Sequence, residues 1–171
     1  MSMFESIKNL WKRDSGMASR HPLNDLPSEQ RIATAVLLLE VIRADLRVTG
    51  AEMEVVVSSI CRACGLSAVE ASELIGEAEG KLLAKDALNG ATRVINSEFS
   101  REQKQYLLEL LWTVALSDER LEKHEDYLVR KLARMLDMNH LDFIDAKLKA
   151  QAGSAGQYRT ARRWIRPYSD E

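Results

Sequence analysis

Apolar residues recur every three or four positions along most of the chain, which is the spacing of one face of an α-helix. The pattern is clearest between Glu102 and Leu136, where two such segments flank a short acidic stretch. The apolar positions are Leu107, Leu110, Leu111, Val114 and Ala115 in the first segment and Leu121, Leu128, Val129, Leu132, Ala133 and Leu136 in the second. This predicts an αα-hairpin with carboxylates at its tip, and we expect the rest of the chain to be organised around it.

Further helices are predicted on the N-terminal side of this hairpin. Ser28 is a good N-cap for a strongly apolar helix that ends near Asp45. Capping-box patterns, in which Ser or Thr precedes Glu or Gln by three residues, predict helix starts at Thr49, Ser67 and Ser100. A shorter helix is expected over residues 86–95.

The C-terminal side of the hairpin predicts one more core helix. Asn139 can cap it, and its apolar positions are Leu141, Ile144 and Leu148. The segment 151–156 (QAGSAG) is expected to end this helix. Because no alternating strand pattern occurs, the predicted fold class is all-α: a single compact bundle of about seven to nine helices, built from two pseudo-repeated αα-hairpins.

The 171 residues suit one domain, and their composition divides the chain into three parts. Residues 1–26 are predicted to form an amphipathic N-terminal leader and linker, residues 27–150 the helical domain, and residues 151–171 a basic and aromatic C-terminal tail.

Charge is distributed unevenly, although the whole chain carries a formal net charge of −2. Residues 1–21 and residues 151–171 each hold four Lys or Arg against two Asp or Glu, a net charge of +2 at each end. The body between them must therefore carry −6. An acidic body argues against nucleic-acid binding through the core and leaves such binding open only at the ends.

The two ends also carry apolar and aromatic residues. In the leader, Met3, Phe4, Ile7, Leu10 and Trp11 share one side of a predicted helix. Residues 3–13 and the Arg-rich stretch 158–166 suit peripheral contact with a membrane, whereas packing on the domain or exposure to solvent is the simpler interpretation of both. No apolar run approaches the roughly 20 residues that span a bilayer, and no secretory signal is evident. We expect a cytoplasmic protein, with the inner membrane surface as the alternative location.

The sequence also contains an internal repeat. A shift of 73 residues lays residues 37–60 on residues 110–133. The matched charged pairs are Asp45 with Asp118, Arg47 with Arg120, and Glu52 with Glu125. Two helix–turn–helix units with the same acidic turn indicate a pseudo-twofold bundle.

A family resemblance rests on these same residues. Residues 115–125 (ALSDERLEKHE), preceded by LLELLW and followed by LVRKLARMLDM, resemble the tellurite-resistance TerB-like family. The leader residues 3–10 (MFESIKNL) are similar to those of its stand-alone bacterial branch. The resemblance implies a compact all-helical domain with paired acidic residues proposed to bind a metal, an association with stress and tellurite resistance, and no agreed chemical activity. This chain departs from the family in having Leu46 and Glu119 where Gly usually follows the turn Asp.

The clustered carboxylates are the candidate metal site. The candidate ligands are Asp45, Glu52, Asp118, Glu122 and Glu125. An all-oxygen set suits Ca²⁺ or Mg²⁺ rather than zinc. The alternative is structural: the aspartates accept hydrogen bonds from turn amides, and Glu52 belongs to its capping box. His124 is either a further ligand or a solvated side chain.

The remaining chemistry is sparse. Cys61 and Cys64 lack the two further ligands of a zinc site and are best interpreted as small core residues. No catalytic constellation occurs, so we do not expect an enzyme.

The expected function is a cytosolic module that acts as a scaffold or sensor on a protein partner. The alternatives are a metal-dependent enzyme that uses the same carboxylates, and membrane or nucleic-acid binding through the basic ends. The sequence does not indicate an oligomeric state.

Overall fold

The computed structural model describes residues 22–43, 50–117 and 123–162, the side chains of residue 51, residues 123–125 and residues 154–162 excepted. These residues form seven α-helices and no strand. The helices are α1 (Ser28–Arg43), α2 (Gly50–Cys64), α3 (Ala68–Lys81), α4 (Ala87–Glu98), α5 (Arg101–Ala115), α6 (Lys123–Met135) and α7 (His140–Arg162). The predicted all-α class is confirmed.

Helix α1 occupies the centre of the bundle. It packs against α2, α3, α4, α5 and α6, and its residues from Ala33 to Leu39 are all buried. The prediction that the α5–α6 hairpin organises the chain is therefore wrong. A helix that is apolar on every side has to be surrounded, whereas an amphipathic helix such as α6 needs a neighbour on one face only.

The helix bounds and the burial pattern agree with the 73-residue repeat. The starts of α1 and α2, moved by 73 residues, fall on the starts of α5 and α6. The burial of α1 and α2 recurs at the matched positions of α5 and α6. The buried pairs are Leu38 with Leu111, Leu39 with Trp112, Val41 with Val114, Val56 with Val129 and Ile60 with Ala133. Both acidic turns lie outside the described residues.

Two of the three predicted caps, Ser67 and Ser100, lie within the described residues and cap their helices. Around Ser100 both halves of a capping box are present: the Gln103 backbone N–H donates to the Ser100 hydroxyl at 3.1 Å, and the Ser100 N–H donates to the Gln103 side chain at 2.8 Å. Ser67 caps α3 by accepting from the Glu70 N–H at 3.2 Å. Thr49, the third predicted cap, lies outside the described residues.

Helix α2 ends in a turn that requires glycine. Gly65 has φ +68°, and the Leu66 N–H donates to the Cys61 carbonyl at 3.1 Å, as in a Schellman motif. A Cβ at residue 65 would clash with Oδ1 of Asn24. The positive φ selects Gly here, whereas the exposed Asn24 side chain could move aside for a Cβ.

We expect Gly65→Ala to lower the free energy of unfolding by about 1–2 kcal/mol, because the new Cβ meets an unfavourable φ and displaces Asn24. The matched change Gly90→Ala should raise it by roughly 0.5–1 kcal/mol, since Gly90 lies inside α4 with open space around its Cα. Urea unfolding followed by circular dichroism measures both changes. Equal effects of the two variants would contradict this account.

Helix α7 differs from its prediction in two respects. It continues through residues 151–156 to Arg162, so the predicted break at QAGSAG is wrong. A glycine inside a helix costs only about 1 kcal/mol, which the neighbouring helix-forming residues can offset. Its buried residues are Phe143, Ala146 and Ala150, whereas the predicted apolar face, Leu141, Ile144 and Leu148, is exposed.

Candidate functional site

One of the five predicted metal ligands has a described side chain. Glu52 lies in the first turn of α2 and is buried, with 4% of its surface exposed. The N-terminal turn is the positive end of the helix dipole and favours a carboxylate by about 0.3–1 kcal/mol. The position of Glu52 therefore fits both of its interpretations, a capping acid and a ligand.

The side chains of the other four predicted ligands lie outside the described residues. Asp45, Asp118 and Glu122 lie outside the described residues, and Glu125 lies in the first turn of α6 with its side chain outside them. The side chain of His124, also in the first turn of α6, lies outside the described residues as well. Within the described part of the chain, no three His, Cys, Asp or Glu side chains gather as metal ligands. The predicted site stays a prediction.

Cys61 and Cys64 lie on the inner face of α2 as buried free thiols, as predicted. Burial raises the pKa of both thiols, that of Cys64 to about 11, although the Arg31 charge partly opposes the shift at Cys64. Both thiols are therefore protonated at neutral pH. Their burial on the inner face of α2 suits this pair to core packing, and within the described residues no further ligands gather around them.

A polar cleft of about 500 Å³ runs between α5 and α7. Arg101 on α5 binds both carboxylate oxygens of Asp142 on α7, each at 3.2 Å. One turn further on, the Gln105 side-chain amide donates to the Asp142 carbonyl at 3.0 Å and to the Asp145 carboxylate at 3.2 Å. Lys149 closes this row with a 3.0 Å ion pair to Asp145. The contacts of Arg101 and Gln105 fix α7 against α5.

Two titratable groups on α5 are partly desolvated in this cleft. Burial raises the pKa of Tyr106 to about 12, with the Glu109 charge as a second cause. Burial also raises the pKa of the Glu109 carboxyl, while the Lys149 charge acts in the opposite direction. The hydrogen bond from Lys149 to Asp145 raises the pKa of the lysine. The cleft thus combines four carboxylates with two cations that are already paired.

Behind this cleft, Trp112 connects α5 to the last helix. Its ring is fully buried and lies 5.1 Å from the ring of Phe143, centroid to centroid. The Lys147 ammonium lies 4.9 Å from the Trp112 ring centroid and 3.7 Å from the Asp126 carboxylate on α6. Asp126 also pairs with Arg130, whose guanidinium lies over Phe143. This cluster holds α5, α6 and α7 together immediately after the second acidic turn.

The α5–α7 cleft was not predicted from the sequence. Its signal is present in the sequence as two polar stripes at helical spacing. The positions are Arg101, Glu102, Gln105, Tyr106 and Glu109 on α5 and Asp142, Asp145 and Lys149 on α7. Such stripes are typical of any solvated helix face, and only the packing of α5 on α7 turns these two into the walls of one cleft.

Within the described ranges, no single helix is long and apolar enough to cross a membrane. Residues 52–64 and 68–81 pass the same test of length and composition only when taken together, across a bend of 112°.

Comparison with known proteins gives one result. A search of curated proteins and a search of solved structures each found no match. The family model described as "Tellurite resistance protein TerB" matches residues 31–148. That match runs from the first turn of α1 into α7 and includes both acidic turns. Because it covers more than half of the chain, the protein belongs to the TerB tellurite-resistance family.

Proposed function

We propose that this TerB domain is a non-enzymatic cytoplasmic module that binds Ca²⁺ or Mg²⁺ weakly at its acidic turns and presents the bound state to a protein partner. The observation that carries the proposal is the recurrence of carboxylates at matched positions of the two repeat units inside the TerB match. Glu52, in the first turn of α2, is buried and already has a partner within the chain, so a bound cation would add to its interactions.

The internal repeat predicts equivalent ligands at the second turn. In the 73-residue register Glu52 corresponds to Glu125 and Asp45 to Asp118. Since the helix starts and the buried positions also correspond, we expect the Glu125 carboxyl to take the equivalent first-turn position in α6. Together with Glu122, these residues would offer the all-oxygen ligand set that hard cations prefer.

The described clefts support a binding role rather than catalysis. The α5–α7 cleft is open to solvent; Arg101 pairs with Asp142 across the two helices, and Lys149 pairs with Asp145 within α7. A general acid or base has to reach a bound substrate, and paired groups on an open surface offer no such arrangement. The predicted membrane contacts of residues 3–13 and 158–166 stay predictions.

A titration with Ca²⁺ and with Mg²⁺, followed by amide NMR, tests the cation site on the whole chain. We expect saturable shifts confined to residues 44–52 and 118–125 in the wild type, and their loss in Asp118→Asn, which keeps the side-chain size but removes the charge. Asp86→Asn is the matched control, because Asp86 is an exposed acid at the start of α4. Absence of shifts at millimolar cation, or equal shifts in both variants, would sink the proposal.

A further inference from the structure

Helix α7 carries an apolar stripe on its outer surface. Leu141, Ile144 and Leu148 are 77%, 36% and 58% exposed. Their spacing of three and four residues places them on one face of the helix, over a length of roughly 10 Å. The other large hydrophobic residues exposed in the described ranges, Val69, Leu83 and Tyr127, do not form such a row. An exposed apolar row of this kind is typical of an interaction surface.

The stripe lies beside the acidic wall of the α5–α7 cleft. Asp142 and Asp145 each follow a stripe residue by one position, about 100° around the helix. Glu102 and Glu109 line the opposite wall. With two cations against four carboxylates, the cleft carries a formal net charge of −2. An occupant that combines an apolar face with basic residues along one edge would complement both features.

The N-terminal end of the described chain lies in this same cleft. Pro22 is one of its lining residues, and the Pro22 carbonyl accepts a hydrogen bond from the Gln103 side chain at 3.1 Å. Residues 1–21 are therefore attached at the edge of the acidic surface. The ten residues between Trp11 and Pro22 can extend to about 30 Å, well over the length of the stripe.

The leader has the complementary composition. Residues 3–13 (MFESIKNLWKR) place five large apolar residues at helical spacing, with Lys8, Lys12 and Arg13 among them. Residues 1–21 carry a net charge of +2, opposite in sign to the cleft. We propose that residues 3–13 dock in cis on the α7 stripe formed by Leu141, Ile144 and Leu148, with their basic residues facing Asp142, Asp145 and Glu109.

This docking buries apolar surface on both sides, and the charges set its orientation. An occupant tethered to the domain binds at a high effective concentration, so an interface of a few side chains is sufficient. The contact requires no bound cation. It also predicts that the stripe and the leader become accessible together, since each covers the other.

Amide hydrogen exchange on the full chain, resolved over residues 3–13, tests the docking. In the wild type these amides should exchange at least roughly tenfold more slowly than in a free peptide of the same sequence. Leu148→Asp should abolish that protection, because it places a charge in the stripe. Leu83→Asp is the matched control, since Leu83 is 86% exposed and lies between α3 and α4; it should leave the protection unchanged.

The reciprocal variant keeps the test independent of the stability of the domain. Leu10→Asp should shift the amide resonances of residues 141–149 and leave those of α3 unchanged. Protection that falls on dilution would mean that a second copy supplies the leader and would overturn the proposal. Protection that appears only with anionic phospholipid vesicles would overturn it in favour of a membrane surface, and unprotected wild-type amides would overturn it outright.

Discussion

Replacing Trp112 with alanine should lower the free energy of unfolding by about 3–5 kcal/mol, the largest effect that we expect from any single change in this chain. The ring is fully buried, packs on Phe143 and lies under the Lys147 ammonium. Its removal leaves a cavity where α5, α6 and α7 meet. A loss of this size is a large part of the roughly 5–15 kcal/mol that holds a typical domain together.

Urea unfolding followed by far-ultraviolet circular dichroism measures this effect without relying on the fluorescence of the deleted indole. Tyr127→Ala is the matched control, because it removes an aromatic ring that is 68% exposed; it should change stability by no more than about 0.5 kcal/mol. Trp112→Phe should cost less than Trp112→Ala, since a ring remains and the indole N–H has no acceptor within the described residues. A loss below 1 kcal/mol in Trp112→Ala would refute this packing account.

The second large effect is expected at the centre of α1. Leu38→Ala should lower the free energy of unfolding by about 2–5 kcal/mol, because Leu38 is fully buried in α1, which packs against five of the other described helices. Neighbours held on several sides cannot easily move in to fill the space, so the upper part of this range is more reasonable than the lower part. The same denaturation experiment measures it.

Leu83→Ala provides the matched control for Leu38, since it deletes the same atoms from a side chain that is 86% exposed. It should be neutral within about 0.5 kcal/mol. If Leu38→Ala were as mild as Leu83→Ala, α1 would not be the central helix of the bundle.

The α7 helix shows which features of the fold could be predicted from the sequence and which could not. Its start was predictable, because Asn139 is a local cap whose side chain accepts from the Asp142 N–H at 2.8 Å. Its buried face was not. Two faces of α7 are apolar by composition, one with Leu141, Ile144 and Leu148 and the other with Phe143, Ala146 and Ala150. Periodicity favours the face with more aliphatic surface, which is the exposed one.

The candidate site was predictable only in its chemistry. Carboxylates in two repeated turns identify a hard-cation site as a hypothesis, and the burial of Glu52 is compatible with it. The α5–α7 cleft depends on contacts such as that of Arg101 with Asp142, which are 41 positions apart in the chain. No local pattern encodes a contact of that separation.

The all-α class, most helix starts and the family could be predicted from the residues alone, because capping, helical periodicity and family motifs are properties of neighbouring residues. The central position of α1 and the inward orientation of the α7 alanines follow from packing between helices. The physical reason is steric: Ala146 and Ala150 allow α7 to approach α5 closely, so that Phe143 reaches Trp112 and the polar rows meet across the cleft. The larger leucine and isoleucine side chains are left on the outer face of the same helix.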